Sequence, residues 1–243
     1  MLMNAQVVKM IPVTTSSEKA MGLFKLAYTA SEDIDIPKFN KLSAQVLAED
    51  PDFFMINYLK AIYAAYFKQE NNFVKYATKA VDCKQNLSDG ELIMKDAIIM
   101  LLKDRNSDLT PLGKKLVKMY PEDINSYWHL ATYQYFIKDY DGEISTINNA
   151  LKLSGRKDYL YNSLAYAYMA KGQLKEAEAN LDKYISLSPN LPNAYDSKGD
   201  LYMMTKEYKK AYENFMKANS IDSTWSKNKM VKAKSLAEAA PKQ

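Results

Sequence analysis

A chain of 243 residues with 33 Lys plus Arg against 29 Asp plus Glu carries a formal charge of only +4, so it lacks the single-sign field that marks a nucleic-acid-binding surface. One Cys and one His exclude an intramolecular disulfide and a cysteine metal cluster, and a zinc site would have to be built mostly from carboxylates. Seven Gly and eight Pro among abundant Ala, Lys, Leu and Tyr favour helix over strand, and no stretch approaches the ~20 apolar residues of a membrane span.

The first segment, 1–16, begins Met1-Leu2-Met3-Asn4-Ala5-Gln6, which reads as the end of an apolar stretch closed by a small residue. That pattern predicts export, to the periplasm or otherwise, after signal-peptide cleavage behind Ala5; the alternative is a cytoplasmic protein with an ordinary N-terminus. Thr15-x-x-Glu18 has the form of a capping box opening the first helix. Leu23-x-x-Leu26-Ala27-x-x-Ala30 follows, and Pro51 closes this first unit. Ala61 and Phe73 then repeat Ala27 and Phe39 at an interval of 34 residues. Ser88-x-x-Glu91 is a second capping box and opens a stretch up to Pro121 whose register is about two residues long. Within it, Pro111 suits the first turn of a helix.

Tyr127-x-x-Leu130-Ala131 stands 34 residues before Tyr161-x-x-Leu164-Ala165, although its second helix runs one residue early, with Ile144 opposite Ala177. The clearest recurrence comes last. Tyr161-x-x-Leu164-Ala165-x-x-Tyr168, then Ala177, Leu181, Tyr184 and Pro189, returns after 34 residues as Tyr195-x-x-Lys198-Gly199-x-x-Tyr202, Ala211, Phe215, Ala218 and Ser223. Asp141-Gly142 and Lys171-Gly172 mark turns inside units, while Pro51, Pro121 and Pro189 fall between them. Six units result, at 20–53, 54–87, 88–123, 124–157, 158–191 and 192–225, so the predicted array covers 17–225. A period of 34 is that of a stacked helix–turn–helix repeat.

Residue size fits that reading. Ala27, Ala61, Ala131, Ala165 and Gly199 are small where two helices of a hairpin approach, as are Ala177 and Ala211 on second helices. Tyr168, Tyr202, Leu181 and Phe215 are large and fill the space between hairpins. In the final segment, 226–243, Met230, Ala233, Leu236 and Ala237 share one side of a capping helix, and Lys227, Lys229, Lys232 and Lys234 form a solvated face on the other.

These residues resemble the tetratricopeptide repeat, most clearly in the last two units. The resemblance implies an all-α, right-handed superhelical solenoid of about six hairpins plus the capping helix. It also implies a concave face, lined by first helices, that holds a protein or peptide. Mapped onto this chain, the groove-facing places are Phe24, Tyr28, Tyr58, Ile62, Trp128, Thr132, Asn162, Tyr166, Asp196 and Asp200. A carboxylate clamp of the kind known in one subgroup is not expected, because only Asn162 fits it and the cations are missing. The predicted groove begins aromatic and ends acidic, and Asp196 and Asp200, four apart on a helix, share a face that would meet a ligand's Lys or Arg. An alternative is an apolar small molecule or a glycan in the aromatic groove. Without a basic concave stripe, nucleic acid is not an expected partner. Self-association is left open.

No phosphate loop, nucleophile elbow or zinc-protease motif is present, so no enzyme, cofactor or metal is expected. Cys83 reads as a buried, inert thiol, and His129 as a structural or groove-lining residue.

Overall fold

Thirteen α-helices make up the regular structure in the computed structural model, which describes residues 9–239. The expected cleavage position behind Ala5 and the tail 240–243 lie outside these residues. The helices are α1 (Glu18–Glu32), α2 (Ile36–Glu49), α3 (Phe54–Tyr66), α4 (Glu70–Val81), α5 (Asp89–Lys103), α6 (Thr110–Met119) and α7 (Ile124–Phe136). They continue as α8 (Tyr140–Ala150), α9 (Asp158–Ala170), α10 (Leu174–Leu187), α11 (Pro192–Met204), α12 (Tyr208–Ile221) and α13 (Lys227–Ala239). The fold is all-α: hairpins in chain order, with one helix after the last pair, and no strand among the described residues. None of the described helices is long and apolar enough to cross a membrane.

The repeat is visible in the backbone itself. Ile34, Lys68, Lys138, Gly172 and Lys206 all take the left-handed conformation, with φ of 58°, 56°, 61°, 72° and 63°. Each lies in the turn of a hairpin, and the following N–H reaches back to a carbonyl at the end of the first helix: Asp35 to Ala30, Gln69 to Ala64, Asp139 to Gln134, Gln173 to Tyr168 and Glu207 to Tyr202. This bond satisfies a carbonyl that the helix end would otherwise leave unpaired. Glycine occupies the position only once, so four of these turns hold a side chain in a region that L-residues seldom adopt. The third hairpin has a longer connection, Asp104–Leu109, and lacks the device.

Two local expectations need correction. Ser17, not Thr15, caps α1, accepting from the Ala20 N–H at 3.1 Å, while the Thr15 hydroxyl donates to Asp50 at 2.7 Å. Gly142 lies in the first turn of α8 rather than in the preceding turn, because Asp139 caps that helix through the Gly142 N–H. A Cβ there would collide with the Asp139 carboxylate, so the close cap rather than a turn conformation accounts for this glycine. Ser88 and Glu91 do form the predicted capping box on α5.

The chain divides into two compact units after Gly155. In the first, Phe39, Phe53, Phe54, Tyr58, Phe73, Met94 and Tyr133 are fully or almost fully buried around the small Ala27 and Ala61. Its third hairpin is opened: α6 packs mainly along α7 rather than on α5. Gly113 permits this, since a Cβ at that position would sit 2.8 Å from the Leu130 Cα. The extended segment before α1 is fastened to distant helices. The Ile11 N–H donates to Asp123 at 2.8 Å, the Thr14 N–H to Glu91 at 2.9 Å, and the Ser88 hydroxyl to the Pro12 carbonyl at 2.8 Å.

The second unit contains α9 to α13. Ala165, Ala177 and Leu181 form one part of its core, and Tyr202, Ala211, Phe215 and Ala233 another. The α13 helix packs on α12, and Ala233 is its one fully buried residue among those described.

Candidate partner-binding site

In the first unit, the groove-facing places divide by burial. Phe24 is buried against Phe53, with ring centroids 5.1 Å apart, and Ile62 and Tyr58 are wholly enclosed. Tyr58 and Ile62 are therefore not on a groove surface, contrary to the sequence reading. The reason is that α7 side chains reach across to α3. The Tyr58 hydroxyl lies 3.0 Å from His129 Nδ1 and 2.9 Å from the Tyr133 hydroxyl, so the three form a buried hydrogen-bonded chain. Burial drives His129 down to about 3, which keeps its ring neutral at physiological pH. Tyr28 is half-buried and donates to Asn125 on α7 at 2.7 Å.

What remains accessible is a run of aromatic rings along α3 and α7. Trp128, half-buried, lies 6.4 Å from Tyr63, which stacks on the exposed Phe67. Phe67 meets Tyr66 edge-on at 5.2 Å, and Tyr66 stacks on Tyr135 at 4.7 Å and 24°. Tyr135 in turn contacts Phe136 and Tyr140. Thr132 is half-buried on the same helix and turns its hydroxyl back to the Trp128 carbonyl. A cleft of about 360 Å³ opens between Tyr66, Tyr135, Phe136 and Tyr140, and Lys68, Lys138 and Arg105 stand on its border. Arg105 is held by Glu70 at 2.6 Å and lies over the Phe73 ring. The sequence reading placed Trp128 and Thr132 here but missed Tyr63, Tyr66 and Tyr135. They recur at three- and four-residue steps on α3 and α7, a spacing that marks a shared face.

Glu143 lies beneath this strip on α8 and is nearly buried, with one carboxylate oxygen lacking a partner. Burial, and secondarily the Asp139 charge, raises its pKa from 4.5 to about 8. The folded state thus holds a proton that the unfolded chain has released, so its contribution to stability is complete below the unfolded value and is lost as pH rises through the folded one. Glu143→Gln is expected to match the parent near pH ~4 and to exceed its stability by up to about 5 kcal/mol near pH ~9, read from urea midpoints at both pH values. Equal midpoints at the higher pH would show that the carboxylate is solvated.

The second unit brings Asn162, Tyr166, Asp196 and Asp200 onto adjoining faces of α9 and α11. The Tyr166 hydroxyl donates to Asp200 at 3.0 Å. Asn162 is half-buried and its side-chain oxygen has no partner. The two aspartates are already engaged by the chain itself: Lys229 of α13 sits 2.7 Å from both carboxylates, and the Ser226 hydroxyl donates to Asp196 at 2.5 Å. Lys229 therefore keeps an exposed side chain, as predicted, but its amine is paired with two carboxylates of α11 rather than free in solvent. Burial lowers its pKa, but Asp200 and Asp196 outweigh that and hold the amine above its ordinary value. The sequence reading found the acidic pair and the lysine separately; their pairing depends on where α13 packs, which no repeat position encodes.

Neither lone reactive residue forms a reactive pair. The Cys83 thiol donates to the Asp52 carbonyl at 3.1 Å, and burial raises its pKa. His129 is engaged with Tyr58 as described. Among the described residues, no group of three or more His, Cys, Asp or Glu is placed to hold a metal ion.

Residues 159–191 and 192–224 each match the tetratricopeptide repeat, and these two stretches are the α9/α10 and α11/α12 hairpins. No curated protein sequence matches the chain. Among solved structures, it is similar to a tetratricopeptide repeat protein from Parabacteroides merdae ATCC 43184, at a TM-score of 0.55 and 15% identity over 92% of this chain and 86% of that one. It is also similar to a thermophilic protein of the same repeat class in Thermus thermophilus, at a TM-score of 0.51 and 15% identity over 90% of this chain and 98% of the other. At such identities the likeness speaks for the fold alone.

Proposed function

Because the chain carries tetratricopeptide repeats, we propose that it is a protein-binding scaffold whose first unit offers the aromatic strip of α3 and α7 as its docking face. Repeats of this class are generally non-catalytic scaffolds, which supports this reading. The observation that carries the finer reading is the accessible run Trp128, Tyr63, Phe67, Tyr66 and Tyr135. Tyr and Trp give a large contact area at low entropic cost and keep a polar tip for hydrogen bonding, which is why they dominate protein interfaces. Lys68 and Lys138 beside the cleft favour a partner segment with an apolar or aromatic anchor flanked by acidic residues. The partner of this proposal is a protein or peptide, and Trp128 and Thr132 are the groove places that keep their role in it.

The test uses capture from an extract of the source organism by the parent chain and by Trp128→Ala/Phe67→Ser. A partner seated on the strip should be lost with the pair of substitutions, at a cost of at least about 2 kcal/mol in affinity, while the melting temperature changes little. Its binding should also weaken with added salt if Lys68 and Lys138 contribute. Equal capture by both proteins would move the interface elsewhere.

A further inference from the structure

A cavity of about 420 Å³ lies among α2, α3 and α4 in the first unit, a volume within the range of small-molecule sites. Phe39, Asn40 and Ala44 of α2, Lys60 and Ala64 of α3 and Tyr76 of α4 line it. The Lys60 amine donates to Asn40 Oδ1 at 2.7 Å, in a bond open to solvent. It also lies 4.7 Å from the centre of the Tyr76 ring and 5.7 Å from that of Phe39. Lys60 is half-buried, yet no Asp or Glu lines the cavity and no described carboxylate pairs with it. Burial, and then the Lys75 charge, lowers its pKa, as befits a cation without a counter-charge.

The chain contains a filled version of the same place. A step of 138 residues carries the turn residues Ile34 and Lys68 of the first two hairpins onto Gly172 and Lys206 of the last two. It also carries Lys60 onto Lys198, which pairs with Asp182 and lies over the Tyr202 ring, while the Tyr202 hydroxyl donates to Glu178. By the same step Asp182, Glu178 and Tyr202 correspond to Ala44, Asn40 and Ala64, three residues that line the cavity. The last two hairpins thus supply their lysine with a carboxylate and fill the space beside it. The first two keep the lysine, lose both carboxylates and leave the space open. A half-buried charge gains from an anion that pairs with it, and here that anion has to come from outside the pocket's own lining. We propose that this cavity binds an aromatic carboxylate, its carboxyl group taking on Lys60 the place that Asp182 takes on Lys198. The rings of Phe39, Tyr76, Tyr63 and Phe67 border the cavity and suit an aromatic body. Asn40 gives its Oδ1 to Lys60, which leaves its amide N–H groups for a second carboxylate oxygen. Tyr63 and Phe67 also belong to the docking strip, but Lys60 and Ala44 do not, so the two sites can be tested separately.

The test is calorimetric titration of the full chain with 3-phenylpropionate, 3-phenylpropanamide and acetate, which separate the charge from the ring. Saturable binding of the acid, at least tenfold tighter than that of the amide or of acetate, is the expected result. Ala44→Asp, at an exposed position, should recreate the ion pair of the second unit, remove binding of the acid and leave the melting temperature at or above the parent's. Lys60→Met, which keeps the apolar stem, should remove it as well. Absence of saturable binding by the acid would overturn the proposal, as would equal binding of acid and amide. Acid binding that persists in either folded variant would overturn it too, by placing the probe elsewhere. Capture of a protein from extract by Ala44→Asp then identifies the source of the carboxylate. Capture equal to the parent's assigns the site to a free acid, and capture lost together with acid binding assigns it to a carboxylate of the docked protein. Failure with the acid leaves the docking strip untouched, since that reading is tested by Trp128→Ala/Phe67→Ser.

Discussion

Tyr58→Ala is expected to destabilise the first unit by about 4 kcal/mol, the upper part of the range for truncating a large buried side chain. Tyr58 is wholly enclosed, stacks on Phe54 with ring centroids 5.9 Å apart and links α3 to α7 through His129 and Tyr133. The alanine variant removes the ring and leaves both partners unpaired. Tyr58→Phe separates the two contributions: it keeps the ring, loses the hydroxyl and is expected to cost about 2 kcal/mol. Urea denaturation of the three proteins measures both steps. If Tyr58→Ala lost a binding partner yet kept its denaturation midpoint, Tyr58 would be a surface contact after all and the buried network would be wrong.

Gly199→Leu should destabilise the second unit by about 3 kcal/mol through overpacking. An added Cβ at Gly199 would collide with the Phe215 ring, and Phe215 is itself fully buried beside Tyr202, Ala211 and Ala233. The ring has no space to yield into without moving α12 away from α11. Gly199→Ala makes the balance visible, because the gain of about 1 kcal/mol in helix propensity opposes the clash and leaves a smaller net loss. Faster hydrogen exchange in α11 and α12 would accompany either change. An unchanged midpoint for the leucine variant would refute close helix approach as the reason for glycine here.

The same two residues show what the sequence makes legible. Small residues at a 34-residue interval report helix contact inside a hairpin, and Gly199 is one of them; the contact is local, so a local pattern captures it. The hairpins follow from the same logic, as does the turn at Gly172, whereas the other left-handed turn positions hold Ile or Lys and carry no glycine signal. Tyr58 and Ile62 occupy groove-facing places by repeat register, yet the fate of Tyr58 depends on residues 71 and 75 positions later that fill the groove from the far side. Lys229 is solvent-facing as helix periodicity says, yet its amine is engaged by two carboxylates on α11 that periodicity does not place. Register gives a side chain its direction; it does not say whether another helix stands there. The third hairpin is hard to place for a related reason, since Gly113 serves a contact with α7 and not with its own partner α5.

The extended segment before α1 bears on how the first unit can be made and altered. In a linear array each hairpin leans only on its neighbours, so folding can begin anywhere and internal repeats can be removed or duplicated. Here the Ile11 amide finds its acceptor 112 residues later, and Thr14 finds its own 77 residues later. Residues that leave the ribosome early must therefore wait for α5 and the start of α7 before they can settle, which raises the sequence distance of the decisive contacts and slows their formation. Excising the α3/α4 hairpin would not yield a shorter working array. It would shift Glu91 and Asp123 away from the strand-like segment that they hold, and the first unit would lose its closure along with the repeat.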